Sequence, residues 1–258
     1  MNPETPFRLA VFVVILLAMM SWELLAPRRD AQHRRLRWPA NLGVVALNAG
    51  VLLLIPISAV GAALFSVFNH FGLFIYLKLP LWPAIILSLL ILDLAIYWQH
   101  RLFHAIPRAW RIHRMHHTDT EFDVTTALRF HPIEIIISMV IKAAVIIAFG
   151  VPVLAAIAFE VILNATAMFN HANIRLPAAV DKALRLIIVT PDMHRVHHAV
   201  HDAEYNRNYG FNLSLWDRIF GSYTAEPRDG HTQMQIGQRR YRDTDEARLD
   251  KLLTQPFR

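Results

Sequence analysis

The sequence predicts an all-α protein: a multi-pass transmembrane helical bundle of four to five membrane segments with a cytoplasmic helical cap. Three observations predict it. Of 258 residues, 55% are hydrophobic and 18% charged, against roughly 45–50% and about 25% in an average soluble domain. Five apolar stretches approach or reach the roughly 20 residues that a bilayer-spanning helix needs. Arginine is concentrated in two of the segments between them. The apolar excess argues against a water-soluble enzyme and against disorder. The absence of cysteine excludes a disulfide framework, an iron–sulfur cluster and a thiolate zinc site. The net charge of +6 reads as arginine at a membrane surface, not as nucleic-acid binding.

The first span runs from Phe7 to Ala26, with Arg8 and Glu23 near its ends. It is too long for a signal-peptide core and is followed by Pro27, Arg28 and Arg29, not by a small-residue cleavage site, so it reads as a retained helix. The second runs from Leu42 to Phe68 and is interrupted near Pro56. The third, Leu81 to Trp98, carries Asp93. The fourth, Ile133 to Phe149, is short and carries Lys142. The fifth runs from Pro152 to Phe169. Gly150, Val151 and Pro152 permit only a tight hairpin between the last two, compatible with a re-entrant pair as well as with two full crossings. Asp93 and Lys142 are read as the charges that break the apolar interiors.

Arg28, Arg29, Arg34, Arg35 and Arg37 follow the first span, and Arg101, Arg108, Arg111, Arg114 and Arg129 follow the third. Positive loops stay cytoplasmic, so the N-terminus is expected outside and both arginine-rich loops and the C-terminal part inside. The chain divides into N-terminal transmembrane helices (1–80), a catalytic domain (81–224) and a polar tail (225–258). Asp243 to Leu253 reads as a short amphipathic helix in a solvated or interface-resting tail.

The fourteen histidines are unevenly placed: only His33 and His70 precede residue 100. His100 and His104 form an H-x-x-x-H pair at the end of the third span. His113, His116 and His117 form H-x-x-H-H, and His194, His197 and His198 repeat it. Residues three and four apart share a helix face, so each cluster can point two or three imidazoles at a common centre. Neutral imidazole is the commonest metal ligand, and eight in three clusters exceed one tetrahedral site and suit two metal ions. His131 precedes the fourth span and His171 follows the fifth, so the topology brings ten histidines to one rim. His33, His70, His201 and His231 read as ordinary surface or core residues. A zinc-protease H-E-x-x-H and the Glu-x-x-His pairs of ferritin-like sites are both absent.

These boxes resemble those of the fatty acid hydroxylase/sterol desaturase superfamily, and the surroundings strengthen the likeness. Asp93 to His100 resembles the first box with its upstream acid and aromatics. Thr125 to Pro132 follows the second box; Asn170 to Asn173 and Thr190 to His194 lead into the third. Asn208 to Phe211 and Trp216 to Tyr223 resemble the alkylglycerol monooxygenase branch. The resemblance covers roughly residues 85–224. It implies an integral-membrane, non-haem di-iron enzyme that uses two iron ions, molecular oxygen as cosubstrate and a lipid substrate. It also implies an external electron donor, which these motifs do not identify: members outside this branch often draw on cytochrome b5 or a similar donor, the alkylglycerol branch uses a reduced pterin, and neither is carried over. The implied ligands are His100, His104, His113, His116, His117, His131, His171, His194, His197 and His198.

The expected chemistry is removal of hydrogen from an unactivated C–H bond, ending in hydroxylation; the alternatives are desaturation or a non-catalytic metal-binding membrane protein. Asp93 lies seven residues before His100, about 10 Å deeper. It is expected to support the ligands from behind or line the substrate tunnel, or else to pair with Lys142. Arg114 and Arg195 sit at equivalent places in the two H-x-x-H-H boxes. They read either as contacts to a lipid phosphate or donor, or as solvated faces.

Overall fold

The computed structural model describes residues 4–258 and is helical, with only isolated β-bridges among them. The long helices are α1 (Glu4–Leu25), α2 (Arg34–Leu54), α3 (Ala59–Phe68), α5 (Leu81–Ala105), α7 (Pro132–Phe149) and α8 (Val153–Asn170), with a single turn, α4 (Leu73–Tyr76), before α5. Helix α6 (Pro107–His117) follows α5 directly. After α8 come the short helices α9 (Ala178–Leu184), α10 (Pro191–His197), α11 (Asp202–Tyr205), α12 (Leu215–Ile219), α13 (Gly230–Gln233) and α14 (Leu249–Thr254). Five segments are long and apolar enough to cross a bilayer, α2 to α4 counting as one, and the protein is an integral membrane protein.

The second span breaks where expected. Helix α2 ends at Leu54, one residue short of Ile55 and Pro56, and α3 restarts after Ser58, whose hydroxyl accepts from the Gly61 amide at 2.9 Å. Its start differs: α2 begins at Arg34, eight residues before the apolar run. Helix α5 likewise continues past Trp98 to Ala105, which puts His100 and His104 on one helix face. In both cases helical hydrogen bonding runs on beyond the hydrophobic pattern that marks the span.

The α7–α8 hairpin is the centre of the bundle. Helix α3 packs on both its helices, α5 on both, α1 on α8 and α2 on α7. The core between them is rich in small side chains, with Ala59, Ala62, Ala63, Ala155 and Ala156 interleaved with Leu92, Ile146 and Phe159. Small residues let helices approach closely where lipid offers no hydrophobic drive. The hairpin tip is pinned: Gly150 ends α7 at φ +65°, and a Cβ on Gly72 (φ +125°) would lie 2.2 Å from the Gly150 nitrogen. Leu17, Leu53, Phe68, Trp82 and Ile86 point outward from the bundle as a lipid-facing belt.

The tail is exposed over much of its length but is anchored near its end. Leu252 is fully buried against Ala40, Val44 and Met115, with Leu249 packed beside it. Spacing of three puts both leucines on one face of α14, and α2 and α6 supply the apolar surface that covers it. Arg114 donates to the Gln255 and Arg258 carbonyls and to the Tyr241 hydroxyl. It fastens the tail and is not a solvated face.

A buried ion cluster joins α2 to the segment after α6. Arg37 donates to both Asp119 oxygens at 2.5 and 2.7 Å, to Asp123 Oδ2 at 2.6 Å and to Glu121 Oε2 at 3.0 Å. Burial alone would raise the Asp119 pKa, but Arg37 and Arg129 outweigh it and hold the carboxyl at about 2. A depressed carboxylate stabilises the fold above its unfolded pKa of roughly 3.9. That contribution is lost as pH falls through about 2. Arg37→Met strands the carboxylates in the interior, and we expect it to lower stability by about 3–5 kcal/mol, measured as a fall in the thermal midpoint in detergent at neutral pH.

Candidate metal centre

Nine of the ten predicted histidines converge at one end of the bundle, in two groups. His100, His104, His113, His117 and His197 form one; His116, His171, His194 and His198 form the other. Within each, one ring nitrogen per residue lies within 4.8 Å of all the others. The boxes do not map one to a centre, as their spacing suggested. Helix α6 sends His113 and His117 to the first group and His116 to the second. The α10 segment sends His197 to the first and His194 and His198 to the second. Neighbouring residues on a helix point about 100° apart, so an adjacent pair such as His116 and His117 serves two centres.

Ring protons are placed by partners outside the groups. Nδ1 of His100 donates to the Tyr209 carbonyl at 2.8 Å and that of His197 to the Arg207 carbonyl at 2.6 Å. Nδ1 of His113 donates to Glu134 Oε1 at 2.7 Å, and that of His171 to the Ala167 carbonyl at 2.8 Å. Each such bond leaves Nε2 as a bare lone pair. His100 Nε2 and His197 Nε2 then face each other at 2.9 Å with no proton between them. His171 Nε2, equally bare, meets Nε2 of His116 at 3.2 Å and Nε2 of His194 at 3.1 Å; neither of those two rings has a partner at Nδ1, so their proton is free to sit on either nitrogen. Facing lone pairs repel unless a cation lies between them. Protonation is not the answer, because burial pushes His171 down to about 4 and His197 to about 3. In addition, Nδ1 of His116, His117 and His194 and both nitrogens of His198 are buried without a partner. Metal cations fit this donor set.

Aromatic rings keep the site dry. Phe130 stacks on His116 at 4.3 Å, and Trp110 covers His104 at 4.7 Å. The carbonyls of Arg207 and Tyr209 come from a loop that is itself clamped. Asn208, at φ +51° in the left-handed region that Asn tolerates, donates to the Met193 and Thr224 carbonyls, both at 2.8 Å. Asp217 accepts from the Tyr209 and Gly210 amides, each at 2.8 Å. A Cβ on Gly210 would meet Asp217 Oδ2 at 2.6 Å, so only glycine fits there.

His131 does not join the site. It caps α7, its Nδ1 accepting from the Ile133 amide at 3.1 Å, and its Nε2 faces the Leu253 carbonyl at 3.2 Å. The Pro132 start that brings it to the rim also commits its ring to the helix end. Asp93 touches neither a histidine nor Lys142. It accepts from Trp216 Nε1 at 2.8 Å and from the Asn212 and Leu213 amides at 3.3 and 3.2 Å, anchoring the loop just beyond Phe211. Lys142 pairs with Glu160, an acid in mid-α8 that the reading of the apolar spans passed over, although it interrupts the fifth span as plainly as Lys142 does the fourth. Arg195 is fully buried, paired with Asp192 and stacked over Phe122. Glu134 carries no motif that marks it, and an acid in the first turn of an apolar helix was the available signal; Asn208 and Asp217 lie in the two segments that carry the resemblance, but nothing along the chain gave them the role of clamping the 207–210 loop.

A cavity of about 360 Å³ reaches the first group from within the bundle. His100 and His113 line one end, Lys142 and Glu160 the other, with α1 and α2 along its sides.

Fold and site together define a membrane-embedded helical bundle with a two-part histidine centre fed by an internal cavity. Residues 85–222 match the sequence model of the fatty acid hydroxylase family, and the chain belongs to that family. It is 30% identical over 158 residues to ornithine lipid hydroxylase OlsE of Rhizobium tropici, covering 60% of this chain and 47% of that protein. It is 26% identical over 230 residues to the alkylglycerol monooxygenase of Danio rerio, covering 87% and 48%. It is 26% identical over 162 residues to the Delta(7)-sterol 5(6)-desaturase erg3B of Aspergillus fumigatus, covering 62% and 43%. The chain spans about half the length of the curated relatives it matches. No solved structure matches it.

Two substitutions separate ligand from scaffold. His116→Ala is expected to lower bound metal in the purified protein, and His131→Ala to leave it at the wild-type level, both read by elemental analysis. Asp93→Asn is expected to keep the metal but reduce turnover, because one carboxylate oxygen is lost to the 212–216 loop; loss of all metal would contradict it.

Proposed function

We propose that the chain is an integral-membrane di-iron oxygenase that hydroxylates a C–H bond of a lipid. His100, His104, His113, His117 and His197 hold one iron, and His116, His171, His194 and His198 the other. The convergence of unprotonated ring nitrogens on two buried points, with a cavity ending at His100 and His113, carries this reading. Imidazole alone suits several metals; iron rests on the family.

Two bound irons supply oxidation of the C–H bond by O2: one oxygen atom enters the lipid as hydroxyl and the other leaves as water, with two electrons and two protons drawn from an external donor. That donor is an acidic redox protein or a reduced pterin. The chain does the rest. Glu134 and the clamped 206–210 loop keep the ligand rings oriented. Phe130 and Trp110 exclude water. The cavity presents one carbon of the substrate at His100 and His113. Both arginine-rich loops lie at the histidine end, which supports a site on the cytoplasmic side. The relatives named for ornithine lipid and alkylglycerol support a polar lipid as the substrate class.

The likeness to a sterol desaturase supports a second reading, removal of two hydrogens by the same site. Metal analysis, oxygen uptake and lipid mass spectrometry of cells with and without the gene decide between them. We expect two irons per chain and a lipid heavier by one oxygen atom. A lipid lighter by two hydrogens identifies the desaturase, and a firmly bound redox-inert metal with no oxygen uptake overturns both.

A further inference from the structure

The cavity is polar at both ends, and the two ends differ in kind. At the far end, Lys142 Nζ donates to Glu160 Oε1 at 2.8 Å and Arg8 to Glu160 Oε2 at 2.5 Å. Both oxygens of the one carboxylate are engaged. The two cations keep further N–H donors and an excess of one positive charge. Lys142 lies eight residues beyond Glu134 on α7, about 12 Å along the axis, and Glu160 lies ten residues before the end of α8, about 15 Å. That depth is near the middle of a hydrocarbon layer about 30 Å thick. An ionisable group there is costly and points to function. At the histidine end the imbalance is reversed: Asn48 Oδ1, Gln99 Oε1 and Glu134 Oε2 are buried acceptors with no donor, and all three residues line the cavity. An alkyl tail running the length of this space would satisfy neither end.

We propose that the far end of the cavity is a subsite for an oxyanion of the lipid substrate, a carboxylate or a phosphate, held by Arg8 and Lys142. The carbon presented at His100 and His113 is then selected by its distance from that anion, about 12 Å along α7, and not by its distance from the end of an alkyl tail. Glu160 holds the two cations together and prevents the subsite from carrying two unpaired charges in the membrane. The inference rests on the reading of this cavity as the substrate site.

Equilibrium binding to the metal-loaded chain in neutral-lipid nanodiscs, with oxygen and reductant absent, tests it, with palmitate, palmitoyl lysophosphatidic acid and methyl palmitate as probes. We expect one or both anionic probes to bind roughly tenfold tighter than the ester, the scale of a charge-assisted hydrogen bond. Palmitate alone identifies a carboxylate subsite, and the phosphate amphiphile alone a phosphate subsite. Arg8→Gln and Lys142→Met each abolish the preference, Lys142→Arg keeps it, and Glu160→Gln strengthens it. Arg8 is partly exposed, so its variant carries the test if Lys142→Met does not fold. Equal binding of all three probes overturns the proposal, as does a preference that survives both Arg8→Gln and Lys142→Met in protein of wild-type helix content. Turnover is not involved, so a missing oxygenase activity would defeat the reaction assigned above and leave this result standing.

Discussion

Within a cluster of nine histidines, His100 and His197 hold two bare ring nitrogens face to face, whose lone pairs repel, and the rest of the architecture is arranged around holding them there. His100 and His197 face each other at 2.9 Å because each is tied from behind to a backbone carbonyl. The carbonyls come from residues 207 and 209, on a loop held by Asn208 on one side and Asp217 on the other. Each layer fixes the one inside it. A cation among the rings turns the repulsion into attraction, so metal binding and the final tightening of this end of the bundle are one event.

The histidines reach that space from four helices whose ends meet only because the membrane helices are held in register. The α7–α8 hairpin sets this register. Its tip is locked by the Gly72–Gly150 approach, and its other end supplies Glu134 and His171. The buried Arg37 cluster then joins α2 to the segment that follows α6, and Asp93 joins α5 to the loop before α12. Buried ion pairs contribute little net stability and are costly to break. The use of the Arg37 cluster is positional, and Asp93 does the same through hydrogen bonds without a cation: each ties a membrane helix to a segment outside the spans.

The same economy extends to the cavity. Its histidine end has buried acceptors with no donor and its far end has two cations on one carboxylate, a distribution that suits an amphiphile better than a hydrocarbon. If the site oxidises C–H bonds as proposed, selectivity has to come from where the substrate is held. Charges placed along the cavity are the means the chain has for that.

Much of this was legible in the sequence. Membrane spans show as length and hydropathy, because lipid leaves helices no other way to satisfy their backbone. Eight of the nine converging histidines show as spacing, because three- and four-residue intervals share a helix face; His171 shows only as a residue beside a span end. Legibility ended where a residue's role depends on what lies across space. His131 and His171 look alike along the chain, each beside a span end, yet one caps a helix and the other joins the centre. Asp93 and Lys142 look like natural partners in apolar helices, but the fold gives Asp93 to Trp216 and Lys142 to Glu160. The division of each H-x-x-H-H box between two centres was equally hidden. Periodicity along one helix states which residues share a direction. Only the packing of several helices decides what stands in that direction, and hence which residues share a metal.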